Sequence, residues 1–466
     1  MLFNSYEFIF LFLPVAIGGY FFFGRRGTRP ANIYLALASL FFYGWWDVRY
    51  LPLLLGSIAG NYLLSGAILR AHAAAAPARA RAVFLLGLAA NLGLLCYYKY
   101  LGFLLGALRA ATGADLPALD ILLPLGISFF TITQILYLYD CCSGTVRDHS
   151  LGNYALFVSF FPHLMAGPIL YHRQMMRQFA DDALHHPQWE NIARGLTLFI
   201  IGLAKKVLIA DAFLQYVNPA FQHTADLTLL QAWLAMLCYL CQLFFDFSGY
   251  SDMAVGLARM MNFTIPVNFN APYRAASLIT FWQRWHISLT NALTACVYMP
   301  ILQHFRHPGL AATTFAASFT LFLVGIWHGA GWQFVIFAAL NALGIAINYV
   351  WRQYRLPMPA PLGHALTILF VLVAMVFFRA GSAGDAWHVL AAMTGAHGIG
   401  TLAAALPALP KKALLVALAL IAFAPPSQQI ARRMQPRWPW LLAAAALFLL
   451  AVTRLGAATD FLYFQF

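Results

Sequence analysis

Charged side chains are scarce in this chain: Asp, Glu, Lys and Arg make up 9% of its 466 residues, whereas they make up about a quarter of an ordinary soluble domain. Glutamate is nearly absent, since only Glu7 and Glu190 occur. This composition excludes a soluble globular protein. It also makes any aspartate inside an apolar segment conspicuous, because a lone carboxylate is costly to bury.

Cysteine is also rare. Cys238 and Cys241 form a CxxC pair, but without a second pair this spacing is a weak indication of metal or redox chemistry. The dense histidine and carboxylate sets that a membrane oxidase needs are missing too. We therefore predict no metal site and no bound cofactor.

Long apolar runs are what the chain has instead, with 62% hydrophobic residues. Runs of about 18–25 such residues can cross a bilayer. They predict an all-α, polytopic integral membrane protein with about 11–14 transmembrane or re-entrant helices. Segment 274–300 is amphipathic and interrupted, which favours a re-entrant element. The predicted spans are 2–23, 31–47, 51–70, 82–107, 121–139, 152–170, 192–217, 227–249, 309–326, 332–350, 364–380 and 438–455, with 386–406 and 411–424 as shorter or interfacial segments.

We interpret residues 1–466 as one integral membrane domain. The net charge of +13 is attributed to short loops and contact with anionic lipid rather than to nucleic acid. Segment Met1–Phe23 lacks a positive start and a cleavage site, so we expect a retained first span. Placing the arginine clusters in the cytoplasm puts the N-terminus and the aromatic tail 456–466 outside and leaves the topology of 380–432 open.

Two histidines lie beside tryptophans in the apolar part of the chain. His286 is in FWQRWHISLT, and His328 is in GIWHGAGW. Ionisable side chains inside a membrane segment mark functional sites, and imidazole is the usual general base. Each has a structural alternative: His328 as a core imidazole bonded to a helix carbonyl, and His286 as a packing residue between Trp282 and Trp285.

The segment DFSGYSD adds buried polar groups. We expect it to line a channel and orient a histidine, or to form a buried ion-pair brace with Arg284 or Arg259. Its polar residues are Asp246, Ser248, Tyr250 and Asp252.

Several long motifs occur in order and together resemble the membrane-bound O-acyltransferase family, in its alginate O-acetyltransferase-like branch. They are LPLGISFFTITQILYLYD, FPHLMAGPI, LFFDFSGYSDMAVGLARMMNFTIPVNFNAPY, FWQRWHISLT and WHGAGW. The resemblance implies helices around a central channel, acetyl-CoA as the cytoplasmic acyl donor and a hydroxyl acceptor outside. It makes His328 the match of the family's catalytic histidine and His286 the match of its second histidine.

The same resemblance favours a channel or substrate-binding role for several further residues. We expect tryptophans and glycines near His328 to form a narrow, dry passage. The residues assigned to it are Trp327, Trp332, Trp282, Trp285, Asp246, Ser248, Tyr250, Asp252 and Arg284.

The chain closes in FLYFQF, which by itself is typical of an interfacial aromatic anchor. It also resembles the C-terminal motif of a small partner protein in teichoic acid D-alanylation, where a tyrosine is thought to carry the acyl group. By that resemblance, Tyr463 accepts acetyl and passes it on outside.

We therefore expect an inner-membrane O-acetyltransferase that serves an exopolysaccharide such as alginate or a cellulose-like polymer, with a periplasmic esterase-like partner. Peptidoglycan is an alternative acceptor. A non-enzymatic polysaccharide transporter is a second alternative, because broken helices and intramembrane polar groups suit that class as well.

Overall fold

The computed structural model describes residues 1–117, 119, 121–146, 149–401, 409–435, 437–457, 461 and 462. Helices dominate these residues, and no β-strand longer than one isolated bridge occurs among them. The predicted all-α class is confirmed. In chain order the helices are α1 Leu13–Gly24, α2 Thr28–Gly44, α3 Leu51–Ala73, α4 Pro77–Leu95, α5 Leu101–Thr112, α6 Ile127–Cys142, α7 Leu151–Ser159, α8 Phe161–Leu164, α9 His172–Ala180, α10 Trp189–Ala204, α11 Leu214–Gln222, α12 Leu229–Met260, α13 Leu278–Trp282, α14 Ile287–Leu293, α15 Met299–Gln303, α16 Leu310–His328, α17 Trp332–Gln353, α18 Ala360–Arg379, α19 Ala383–Thr394, α20 Lys411–Phe423, α21 Ser427–Arg433 and α22 Trp438–Val452.

The chain is a multi-pass membrane protein. Within the described ranges, six helices are long and apolar enough to cross a bilayer. Four shorter apolar helices of 10–17 residues accompany them, and α20 and α21 form a pair bent by 70°. Short and bent helices are acceptable at membrane depth where other protein segments satisfy their backbone groups.

Some predicted spans are broken in the structure. Segment 152–170 forms α7 and the four-residue α8 instead of one helix, because Pro162 has no amide hydrogen and stands at the start of a new helix. Segment 192–217 is divided by a π-helical turn, Lys205–Ala210. Segment 274–300 is interrupted, as expected, between α13 and α14.

The helices group into two compact units. The first contains Met1–Phe199 and Ser251–Pro266, and the second contains Ile200–Tyr250 and Val267–Phe466. The single domain and the central channel remain predictions. Both histidines singled out above belong to the second unit, where the candidate site lies.

Candidate active site

His328 is the last residue of α16 and is 4% exposed. Its Nδ1 lies 2.6 Å from the carbonyl oxygen of Val324, one turn earlier in the helix. Since a carbonyl only accepts, Nδ1 carries the hydrogen of the neutral ring and Nε2 keeps its lone pair. The carbonyl end of a helix also stabilises a positive charge. The imidazole is therefore oriented and able to accept a proton at Nε2.

The wall around this ring is aromatic and comes from three helices of the second unit. Phe378 of α18 lies 5.2 Å from the His328 ring centroid, and Phe337 of α17 lies at 6.2 Å. Trp327 approaches the same ring edge-on at 5.2 Å. Such a wall excludes water and strengthens electrostatic interactions inside it.

Close contact between α16 and α17 depends on a glycine one turn before His328. A β-carbon on Gly325 would lie 2.5 Å from the backbone α-carbon of Ala338. No side chain fits there, so α17 can approach α16 closely enough to bring Phe337 against the histidine.

His286 stands in the break between α13 and α14. It is fully buried and has a φ of 45°, a left-handed conformation that is costly for a residue with a β-carbon. Asn268 holds this turn: its carbonyl accepts the Ile287 amide at 3.1 Å, and its Oδ1 accepts the Ser288 amide at 3.2 Å. Asn268 thus caps α14 from another segment and sets the direction of the His286 side chain.

The two histidines come together in the structure. Their ring centroids are 6.2 Å apart. His286 also contacts Phe247 of α12 at 4.8 Å and Trp327 at 6.0 Å. A buried pair of imidazoles in an aromatic pocket is suited to general acid–base chemistry on a bound substrate.

The predicted tryptophans divide between two environments. Trp327 joins the histidine pair, whereas Trp285 packs in an aromatic cluster with Phe269 at 5.0 Å and Phe281 at 5.7 Å. Trp282 is buried beside Phe281. Trp332 is 58% exposed at the start of α17, and its predicted role in substrate binding stays a prediction.

The polar residues of DFSGYSD lie in different surroundings. Asp246 is buried and pairs with Lys206 at 2.7 Å, whereas the sequence analysis expected Arg284 or Arg259 in that role. The predicted partner was wrong because Lys206 is in the π-helical turn after α10, and only the fold brings that turn to α12. Ser248 accepts a hydrogen bond from Lys205 at 3.4 Å. Asp252 is buried in the first unit.

Arg284 lies in a basic cavity that the sequence did not reveal. The cavity has a volume of about 410 Å³ and is lined by Arg274, Arg284 and Arg433 among others. Arg274 is held by the Ala424 carbonyl at 2.7 Å. Arginine is the side chain best suited to binding anions such as phosphate, so this cavity is a candidate anion site.

Phe461 and Leu462 are the described residues of the aromatic tail beyond residue 457. Phe461 and Leu462 are buried in the second unit, and the Phe461 ring lies 4.7 Å from that of Tyr250, another DFSGYSD residue. Tyr463 lies outside the described residues, so its predicted role remains untested.

Membrane-crossing helices together with a buried, oriented histidine pair define an integral membrane protein with a site for general-base chemistry. A family model described as membrane-bound O-acyltransferase matches residues 129–382, which include both histidines. The chain belongs to this family and is an O-acyltransferase. The resemblance noted in the motifs is thereby confirmed, and the alternative of a non-enzymatic transporter is not supported.

Two relatives match over most of the chain, and a third matches over half of it. It is 39% identical over 431 residues to a peptidoglycan O-acetyltransferase of Helicobacter pylori, covering 86% of this chain and 81% of the relative. It is 38% identical over 404 residues to a probable alginate O-acetylase of Pseudomonas aeruginosa, covering 84% and 75%. A teichoic acid D-alanyltransferase of Streptococcus thermophilus is 24% identical over 245 residues, covering 50% and 58%.

Proposed function

We propose that the protein transfers acetyl groups from cytoplasmic acetyl-CoA across the bacterial inner membrane to an extracytoplasmic polysaccharide. The observation that carries this proposal is the buried His328, whose Nδ1 lies 2.6 Å from the Val324 carbonyl oxygen and whose ring lies 6.2 Å from that of His286. Acetyl is favoured over D-alanyl because the relatives that cover most of the chain are named for O-acetylation.

In the proposed reaction, His328 Nε2 removes the proton of an attacking hydroxyl as its oxygen bonds to the thioester carbonyl. The carbon–sulfur bond then breaks, and the thiolate takes a proton and leaves as free CoA. His286, 6.2 Å away between ring centroids, faces the same aromatic pocket and polarises or orients the reacting groups. The aromatic wall limits the competing reaction with water.

The basic cavity supports a phosphate-bearing donor. Arg284 lines it and is only two residues before His286, a separation of at most about 7 Å between α-carbons. Arg433 lines it as well, and the positive-inside rule assigns its arginine cluster to the cytoplasm. Phosphates held by these arginines would place an attached thioester within reach of the histidines from the donor's side.

The first hydroxyl acceptor in this proposal is Tyr463. A phenol has a pKa of about 10, so it needs a base such as His328, and its ester is a good acyl donor in turn. A periplasmic esterase-like partner then moves the acetyl group to a polysaccharide hydroxyl and regenerates the phenol. The carrier divides a membrane-crossing transfer into two steps, each over a short distance.

The acceptor polymer has two candidates. Identities of 39% to a peptidoglycan enzyme and 38% to an alginate enzyme favour neither, so peptidoglycan stands beside an exopolysaccharide of the alginate or cellulose type. The two candidates are distinguished by measuring the acetyl content of each polymer in a strain that lacks its own acyltransferase and is complemented with this chain.

The direct test of the proposed reaction uses purified protein in nanodiscs with acetyl-labelled acetyl-CoA. We expect release of free CoA thiol together with transfer of the labelled acetyl group to the protein. D-alanyl thioesters should react far more slowly than acetyl-CoA. Absence of thiol release, with the helix content intact by circular dichroism, would contradict the proposal.

Replacing Arg284 with glutamine should raise the KM for acetyl-CoA about three- to tenfold, because one phosphate contact of roughly 1 kcal/mol is lost. The kcat should change little, since the reacting atoms are untouched. R306Q removes an exposed arginine in the loop before α16 and serves as the charge-matched control. If R284Q has the same KM for acetyl-CoA as wild type at both low and high salt, the arginine cavity does not bind the donor.

A further inference from the structure

A buried charged cluster in the second unit has no part in the acyl-transfer chemistry. Lys206 is 1% exposed and forms ion pairs with Asp246 at 2.7 Å and with Asp211 at 2.8 Å. Burying such a cluster is expensive, and apolar residues of similar size are often at least as stabilising. The cluster therefore calls for a role other than stability. Lys206 also lies in a π-helical turn, an irregularity that is frequent at functional sites.

The C-terminal segment contacts this cluster. The backbone amide of Leu462 donates to Asp246 Oδ2 at 3.1 Å. Lys206 Nζ lies 4.9 Å from the centroid of the Phe461 ring, within the range of a cation–π interaction. The Phe461 ring also meets the Tyr250 ring edge to face, which is the third contact of the tail with this region. Two consecutive tail residues are thus held through the backbone of one and the ring of the other.

The same turn of α12 serves both the tail and the histidine pair. Asp246 and Tyr250 are four residues apart, so they lie on one face of the helix and hold the tail. Phe247, between them in the chain, contacts His286 at 4.8 Å. The tail and His286 are therefore both contacted by one turn of α12.

We propose that Lys206 and Asp246 form a clasp that holds the C-terminal segment of this chain in place for acyl transfer. Both residues are positioning residues, because they act through the tail and not on the acyl group. The consequence for transfer rests on the proposed function, whereas the clasp itself does not.

A carboxylate is the appropriate acceptor for this purpose. A hydrogen bond from an amide to a charged group is about twice as strong as one to a neutral group. Lys206 Nζ lies 2.7 Å from Asp246 Oδ1 and supplies the opposite charge that a buried carboxylate needs. Removal of the charge, or of the Leu462 amide hydrogen, should therefore release the tail.

Trimming by a carboxypeptidase, followed by intact-protein mass spectrometry, measures the clasp without any acyl donor. In the wild-type protein in nanodiscs, we expect trimming to slow sharply at Leu462. In D246N, trimming past Leu462 should be at least about tenfold faster. D211N is the matched control: Asp211 pairs with the same Lys206, while the Leu462 amide goes to Asp246, so its trimming should still slow at Leu462. Equal trimming in D246N and wild type would overturn the clasp.

A second pair of variants leaves the buried ion pairs intact and so avoids misfolding of the core. L462P removes the amide hydrogen and should release the tail, whereas L462A keeps it and should retain the slow step. Because many carboxypeptidases stall at proline whatever the fold, this pair is compared with a carboxypeptidase that releases C-terminal proline. With that enzyme, trimming of L462P that slows at the same position as in L462A would also overturn the proposal.

The rate of acyl transfer is a second measurement, and it would not change if Asp246 had a purely structural role. D246N should lower the kcat for labelling of the tail at least about tenfold, with the KM for acetyl-CoA unchanged, because the arginine cavity is intact. If trimming shows that D246N and L462P release the tail while the wild-type tail acquires no acetyl label, the clasp stands and the tyrosine carrier is refuted. The opposite pattern, a labelled wild-type tail with unchanged trimming in the variants, would keep the carrier and refute the clasp.

Discussion

Replacing His328 with asparagine is expected to lower acetyl transfer by about 10²–10⁴-fold, the usual contribution of a general base. Asparagine places an amide nitrogen where the histidine has Nδ1, so it can still donate to the carbonyl of Val324. It has no atom in the position of Nε2. The variant therefore keeps the structural hydrogen bond and loses only the base. Thiol release from acetyl-CoA, measured under saturating donor, checks the loss.

This substitution separates the two interpretations that the sequence left open for His328. If the imidazole only satisfies a helix carbonyl, H328N should be nearly as active as wild type. A melting temperature close to that of wild type shows that the fold is intact. H364N replaces an exposed histidine of α18 and should leave the rate unchanged. Substantial activity in folded H328N would contradict the role of His328 as the base.

Replacing Tyr463 with phenylalanine is expected to abolish labelling of the tail and to reduce polymer acetylation at least about 100-fold. Phenylalanine retains the aromatic ring but lacks the oxygen that forms the ester. The Leu462 amide that donates to Asp246 is unaffected, so the tail should remain bound. Mass spectrometry of the C-terminal peptide after reaction with labelled acetyl-CoA checks the first effect, and acetyl content of the polymer checks the second.

The exposed Tyr354 supplies the control for Tyr463. It is 69% exposed at the end of α17, and Y354F removes the same hydroxyl from a tyrosine that has no assigned role in the reaction. It should retain the wild-type rate. Full polymer acetylation by Y463F would return the tail to an interfacial anchor and would make a polysaccharide or partner hydroxyl the direct acceptor.

The sequence was sufficient for the membrane class and for the two histidines. A charged fraction of 9% and repeated apolar runs leave no soluble alternative. Histidines in apolar segments are rare enough to be noticed one by one, and both His286 and His328 lie in motifs that the family comparison includes. Helix ends were less predictable. Apolar residues suit a short broken helix such as α8 as well as a continuous span.

The tertiary structure alone decided which groups work together. Lys206 is one of two adjacent lysines with no distinctive pattern around it, so nothing in the sequence assigned it to Asp246 on α12. The same holds for the cavity that Arg274 and Arg284 line together with Arg433, which is far from both in the chain. Composition and local motifs determine class and chemistry because they depend on residue type. Pairing depends on which helices meet, and that information exists only in the folded chain.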